Sequence, residues 1–437
     1  MVLNAANAPM GLTSKVAGHG RDSDWNRVTL GKRVLGGISD TAHSVGRVRI
    51  PEFLLFFFLV MYPMVVPGGL AFRFDAVILV VICIYAMFRR PQYSLGWFGA
   101  FIPLLAVAVP YLSLVSEANV DGGEVADWRT RLIRIMTVMA FVFMSSTGRV
   151  DLWSGALGWL TALIVNIPLY YAGLTTDLYA GFLTGVLEDK NVAGLAYALG
   201  LVMLPMIVRR WLFLLPLMSV FAMALWLTGS RTSMGGAAAG LVWIVVAPKI
   251  PLLARPFLAW LLYWGIGLVQ EDFSQIGVFS DREGSDQLRA RIDAASKIKV
   301  EETGFFGQGL GEAYAFVGEK AWFFHNSFWT LLVEGGWPWA VLIVAMTVVA
   351  MTPIWRKVET RDQAIVQGLG VVILVCSTRL GEVFITTAWG LVMALAIHAW
   401  ISGRELTDPD SAQLDPRGRS DLPSGVIRHR EWSENAP

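Results

Sequence analysis

The chain has 437 residues, of which 55% are hydrophobic and 16% charged, with a formal net charge of +1 and a mean hydropathy of +0.55. A soluble domain carries roughly a quarter charged residues, so this balance points to lipid as the main solvent. The near-neutral charge argues against a nucleic-acid binder, which needs a basic face. The two cysteines, Cys83 and Cys376, lie inside apolar runs and read as helix packing rather than as a disulfide or a metal site.

In chain order, residues 1–49 form a polar leader without helical periodicity, expected to be largely disordered. The first apolar run begins only near Pro51, so no cleavable signal is expected. Spanning a bilayer as a helix takes about 20 apolar residues, because every backbone group must bond within its own segment. By that rule residues 50–402 form an all-α, polytopic membrane domain of about twelve transmembrane helices. The spans fall near 51–67, 75–88, 94–116, 130–146, 154–172, 191–208, 211–228, 232–248, 252–270, 326–348, 364–380 and 386–402. The tail, 403–437, is again polar and expected to be disordered.

Lys and Arg set the orientation. Arg89 and Arg90, Arg149, Arg209 and Arg210, Lys249 and Arg255, then Arg356, Lys357 and Arg361 fall on alternate connections. The leader adds Lys15, Arg21, Arg27, Lys32, Arg33, Arg47 and Arg49, which puts both termini in the cytoplasm. Segments 117–129, 173–190, Gly229–Arg231 and the long loop 271–325 are then external. In that loop Ser285 is placed to cap a helix running to about Val300, with Leu288, Ile292, Ala295 and Ile298 along one face.

Several external residues fall into a familiar order. They are Lys190-Asn191 entering a span, Gly229-Ser230-Arg231 at the head of a Gly/Ala-rich span, and Arg289 or Arg291 in the long loop. Then come Gly304-Phe305-Phe306-Gly307-Gln308-Gly309, His325-Asn326 and Glu334-Gly335-Gly336. In this respect the chain resembles the O-antigen ligase and O-antigen polymerase superfamily of bacterial membrane glycosyltransferases. The likeness covers roughly 180–340; elsewhere only the hydropathy matches. Gly304 stands where the family often has Pro, and Asp293 where it often has Trp, departures that touch the loop's shape more than the expected chemistry.

The resemblance implies an inverting, metal-independent transferase with a fold of the GT-C type and no cofactor. Its donor would be a glycan on undecaprenyl pyrophosphate. Its acceptor would be a sugar hydroxyl, on lipid A–core for a ligase or on another lipid-linked glycan for a polymerase.

That chemistry needs cations for the departing phosphates and a base near the attacking hydroxyl. Arg231 lies on the outer side, where positive-inside statistics disfavour it and where embedding an Arg costs several kcal/mol. Its plain alternative is a snorkelling Arg on lipid phosphate. Arg289 has Asp286 and Asp293 within one helical step, so a surface salt bridge would account for it. Arg291 lacks such a partner and is expected along the apolar stripe, where it would need an anion. Family spacing favours Arg289 and helix phase favours Arg291; both stand. Lys190, with Asn191 beside it, is a donor-binding candidate or a partner for Glu188 or Asp189. Ser230 and Asn326 join the binding candidates by their place in the motifs. Arg379 is a weaker one, since Glu382 one step on would pair with it.

His325 is the one histidine expected outside, at the point where the loop re-enters the membrane. Imidazole titrates near neutrality, which suits taking a proton from a sugar hydroxyl; a helix cap is the structural alternative. Glu334, about two and a half turns deeper, is either an orienting group or a buried structural acid. The glycine run Gly307, Gly309, Gly311 lacks the setting of a dinucleotide fingerprint and reads as tight turns. Asp-x-Asp pairs occur only in the tails, at Asp22/Asp24 and Asp408/Asp410, which argues against a metal-dependent enzyme. The competing class is a transporter or flippase, which would place its charges at the midplane among broken, repeated helices.

Overall fold

The computed structural model describes residues 48–61, 73–119, 126–175, 177–179, 181–272, 283–353 and 356–403, the side chains of 268–272 and 283–286 excepted. The expected loose ends, 1–49 and 403–437, lie outside the described residues but for Val48, Arg49 and Gly403. The described residues from Arg49 to Gly403 form one compact unit.

Apolar runs become helices because only a helix satisfies its own backbone in lipid. In chain order these are α1 (Ile50–Phe58), α2 (Phe74–Met87), α3 (Phe101–Ala118), α4 (Trp128–Met144), α5 (Leu152–Tyr171) and α6 (Lys190–Ile207). They continue as α7 (Trp211–Leu227), α8 (Arg231–Val246), α9 (Arg255–Asp272), α10 (Glu283–Glu302), α11 (Ser327–Met351), α12 (Arg361–Ser377) and α13 (Thr387–Ile401). A helix stands at each place where a span is expected, but of 51–67 only the part in Ile50–Phe58 is helical and 62–67 lies outside the described residues. Among the described residues, five stretches are long and apolar enough to cross a membrane: Gly96–Ala118, Trp128–Arg149, Leu152–Tyr171, Lys190–Ile207 and Ser327–Met351. Large apolar side chains lie bare on the outer helices, among them Val80 and Ile84 on α2, Trp211 and Met223 on α7, and Trp260 and Trp264 on α9. Water would penalise such a surface and lipid does not. The molecule is an all-α membrane protein.

Polar side chains start the helices. Asp127 accepts the Arg129 and Thr130 amides at α4, Asp189 those of Asn191 and Val192 at α6, and Asn326 those of Phe328 and Trp329 at α11. Thr360 and Gln363 close a capping box on α12. Inside the bundle, small residues let backbones approach, as membrane helices require. Gly240 of α8 and Gly368 of α12 each lie against the other's carbonyl, and Gly158 of α5 lies against the Phe53 carbonyl of α1. At the centre is α6, buried at every position from Ala193 to Ile207 except Pro205.

Contacts sort the connections into two ends. At one, Gln92 and Tyr93 amides donate to the Thr147 carbonyl, Arg255 to Arg356, and Arg89 to Glu52. At the other, Leu310 donates to Ser116, Ser327 to Leu380, Leu183 to Leu227, and Thr387 to Asp75. In each of these contacts both partners come from or adjoin connections that the Lys and Arg alternation assigns to one side.

The long loop has a core of its own. Its helix α10 begins at Glu283, so Ser285 lies inside it and is not its cap. A hairpin follows that the sequence reading lacks: β1 (Tyr314–Val317) pairs antiparallel with β2 (Lys320–Phe323) around Gly318 at φ +68°. Ala313, Ala315, Phe324 and Val333 pack together, and Lys299 ties α10 to the hairpin through Glu312 at 3.2 Å.

α11 breaks at Gly335 and Gly336, the latter at φ +63°. The loop backbone fills the break. Gln308 and Gly309 amides donate to the Val333 and Glu334 carbonyls at 2.6 and 3.1 Å, and the Trp337 amide donates to Phe305 at 3.0 Å. The Tyr111 hydroxyl lies 2.8 Å from the Phe306 carbonyl and 2.9 Å from that of Gly335. Gly307, Gly309 and Gly311 all have positive φ and press on neighbouring backbone, so the glycine run does form tight turns.

Candidate functional site

A cavity of about 710 Å³ opens at the end that holds the long loop, within the ~300–1,000 Å³ usual for small-molecule sites. Arg289, His325, Asn326 and Arg379, all singled out from the sequence, line it together with Asp293. Trp264 and Ile266 of α9, and Phe328 and Trp329 of α11, supply apolar wall. Two guanidinium groups, an imidazole and flat aromatic surface therefore share one space.

The phase of α10 decides which arginine takes part. Its buried line is Ile292 and Ser296, four residues apart, while Ile298 of the expected stripe is 57% exposed. Arg289 and Asp293, also four apart, flank that line and reach the cavity. Arg291 is exposed. The expectation that Arg291 lies along the apolar stripe is thus corrected: the helix packs on the hairpin and α11, and the packed face is rotated from the one that Leu288 and Ile298 suggest.

His325 sits between β2 and α11. The Phe324 amide donates to the Ala313 carbonyl at 3.2 Å, and Gly381 lies so close to the Phe324 carbonyl that no Cβ would fit. Both fix the backbone that carries the imidazole. The helix-cap role belongs to Asn326, whose Oδ1 accepts the Phe328 amide at 2.9 Å. His325 Nδ1 is buried, makes no hydrogen bond among the described residues, and stands 3.7 Å from Asp293 Oδ1.

Arg379 does not take Glu382 as its partner. α12 ends at Ser377, so the two are not a helical step apart, and Glu382 turns the other way to Arg131 and Arg134 of α4. Arg379 is exposed at the cavity rim instead.

Glu334 stands apart from the cavity. Asn326, Phe328 and Trp329 face the cavity, whereas Ser327, Thr330 and Glu334 look the other way into a closed ionic cluster. There Arg131 pairs with both Glu334 and Glu382, Arg134 donates to Glu382 at 2.9 Å, and the Gly311 amide donates to Glu334 at 3.1 Å. Of its two sequence readings, the buried structural acid is the one this geometry fits. Glu382 keeps part of its side chain exposed; partial loss of solvent disfavours its charge, but the Arg134 and Arg131 guanidinia beside it hold its carboxyl well below the usual range. Arg131 and Arg134 went unnoticed in the sequence although they carry the same signal as Arg231, cations at the outer edge of a span.

The remaining residues gather at the paired starts of α6 and α8. Gly194 lies against Ser230, whose hydroxyl is 2.8 Å from that of Ser233. The Lys190 ammonium lies 5.4 Å and 5.6 Å from the Tyr179 and Phe182 ring centres. Asp189 accepts the Asn191 amide at 2.7 Å and the Tyr179 hydroxyl at 2.6 Å, and burial with that bond pushes the Tyr179 phenol up. Arg231 opens α8. Gly235, one turn on and on the same face, packs on Ile266 of the cavity wall. Lys190, Asn191, Ser230 and Arg231 are not among the residues that line the cavity.

No protein-family model matches the chain, and no curated protein matches it.

Proposed function

We propose that the chain is a glycosyltransferase of the O-antigen ligase or polymerase kind, moving a glycan from undecaprenyl pyrophosphate to a sugar hydroxyl at the outer face of a bacterial cytoplasmic membrane. In this reading it spans the membrane about twelve times in a GT-C-like arrangement, with both termini in the cytoplasm, and serves surface polysaccharide biosynthesis. The observation that carries it is the gathering of Arg289, Arg379 and His325, from three separate stretches of chain, around one cavity walled by aromatics.

The chemistry follows from those groups. Arg289 and Arg379 meet the pyrophosphate oxygens, a task suited to planar guanidinium. Neutral His325 takes the proton of the acceptor hydroxyl as its oxygen attacks the anomeric carbon. The anomeric C–O bond to phosphate breaks with inversion, and its electron pair leaves on the pyrophosphate. Ligase and polymerase share this step and differ in the acceptor, so analysis of the product tells them apart.

A flippase reading would want a broken helix open to its cargo. The break in α11 is occupied by Gln308 and Gly309 amides, which favours the enzyme.

His325→Ala should insert normally yet transfer roughly 10²–10⁴-fold more slowly, with lipid-linked glycan accumulating in cells. Wild-type product at matched protein level would remove the reading. A reporter fused within 300–320 should be external and one at the C-terminus cytoplasmic; the opposite pair would place the cavity in the wrong compartment.

A further inference from the structure

Asp293 faces the imidazole on which the transferase reading depends. The pair joins two elements: α10 in the loop carries Asp293, and the re-entry before α11 carries His325. Both side chains are about equally part-exposed at the cavity, 30% and 27%. The 3.7 Å between Oδ1 and Nδ1 is ion-pair range and just beyond a hydrogen bond. Closing it to the usual ~2.7–3.2 Å takes less than about 1 Å of movement.

We propose that Asp293 is the positioning residue of His325: its carboxylate receives Nδ1–H, so that Nε2 presents its lone pair to the acceptor hydroxyl. This rests on the transferase reading and deepens it. Two facts converge on it. Nδ1 is buried without a hydrogen-bond partner among the described residues, and the one carboxylate that lines this cavity among those residues stands opposite it. A base whose second nitrogen is held by an acid keeps one tautomer and one ring orientation, and its cation is stabilised as it forms. When the hydroxyl O–H breaks, the proton passes to Nε2. The oxygen forms its bond to the anomeric carbon, and pyrophosphate departs with the electron pair of the bond it loses. The imidazolium stays beside Asp293 until it releases that proton to solvent. Asp293 gains and loses nothing in the step.

The other ionisable groups lining the cavity are Arg289 on α10, Arg379 after α12 and Tyr263 on α9. The two arginines bring positive charge to this space and Asp293 brings the negative.

The test uses the full-length protein in detergent with lipid extracted from cells lacking the chain, in which unused donor collects. Turnover is followed against pH in wild type, Asp293→Asn, Asp293→Glu and His325→Ala. Asp293→Asn should lower kcat roughly 10- to 10²-fold with KM for donor nearly unchanged. The midpoint of the acid limb should fall, because an imidazolium formed during turnover has lost its opposite charge. Asp293→Glu, which keeps the charge, should hold the midpoint up and recover most of kcat. If Asp293→Asn inserts poorly, Asp293→Ala takes its place.

An unchanged kcat and midpoint in Asp293→Asn, with His325→Ala inactive, would overturn the role of Asp293 and leave the transferase reading standing. A lower kcat without movement of the midpoint would equally reduce Asp293 to a structural contact. Full activity in His325→Ala would bring down the transferase reading itself.

Discussion

The first turns of α11 separate two charged regions built from the same residue types. On one face Arg131, Arg134, Glu334 and Glu382 close on one another and leave almost no room. On the other, Arg289, Arg379, Asp293 and His325 surround about 710 Å³ of open space. Embedded charge is costly wherever it sits. The closed cluster offsets that cost internally and welds α4, α11 and the 378–386 segment together. The open one leaves its cations facing a space that an anion can fill. Charge in a membrane helix therefore marks either a weld or a site, and the difference lies in whether the charges answer each other.

The sharpest test of that contrast compares neighbours on α10. Arg289→Ala should lose about 10²-fold or more of transfer, as removal of a group stabilising developing charge does. Arg291→Ala, on the exposed face, should stay within about two-fold; turnover at matched protein level reads both. The reverse order would move the donor site to the other side of the helix. Next, Arg131→Met breaks the weld from one side and should cost roughly 3–5 kcal/mol of stability, seen as a lower melting temperature in detergent, while the protein that remains folded keeps its specific activity. Loss of activity without loss of stability would make the cluster a site after all.

The smallest effect concerns pH. The native carboxyl of Glu382 is held low by Arg134 and Arg131, which outweigh its partial loss of solvent. Its stabilisation is complete above the unfolded value, about 4.3, and fades as pH falls toward the native one. The difference in melting temperature between wild type and Glu382→Gln should hold from pH 7 to about 5, then narrow in more acid buffer. A gap that instead widened in acid would mean the arginines do not hold this carboxylate charged.

The helices were legible because apolar length is written locally. Each expected stretch meets a helix, from Phe74–Met87 to Thr387–Ile401. The hairpin was not, since four-residue strands such as Tyr314–Val317 leave too short an alternation beside runs of twenty. The site was half legible. His325, Asn326, Arg289 and Arg379 share one cavity, but their pairings depend on partners far off in sequence. Local spacing offered Asp293 to Arg289 and Glu382 to Arg379; the fold instead sets Asp293 before His325 and gives Glu382 to Arg131 and Arg134. The phase of α10 misled for a related reason. A loop helix chooses its buried face from the hairpin and bundle it meets, and its own stripe is too short to dictate that choice.

The break in α11 also bears on how such a chain is made. A half-helix with bare carbonyls in lipid costs several kcal/mol per group, so α11 is a poor insertion substrate taken alone. The groups that answer it, the Gln308 and Gly309 amides, lie upstream, and Tyr111 lies further upstream still. All of them have therefore left the ribosome before α11 does. Synthesis delivers the plug before the hole, and a translocating loop that docked late would strand α11 half-inserted, open to the proteases that police membrane biogenesis.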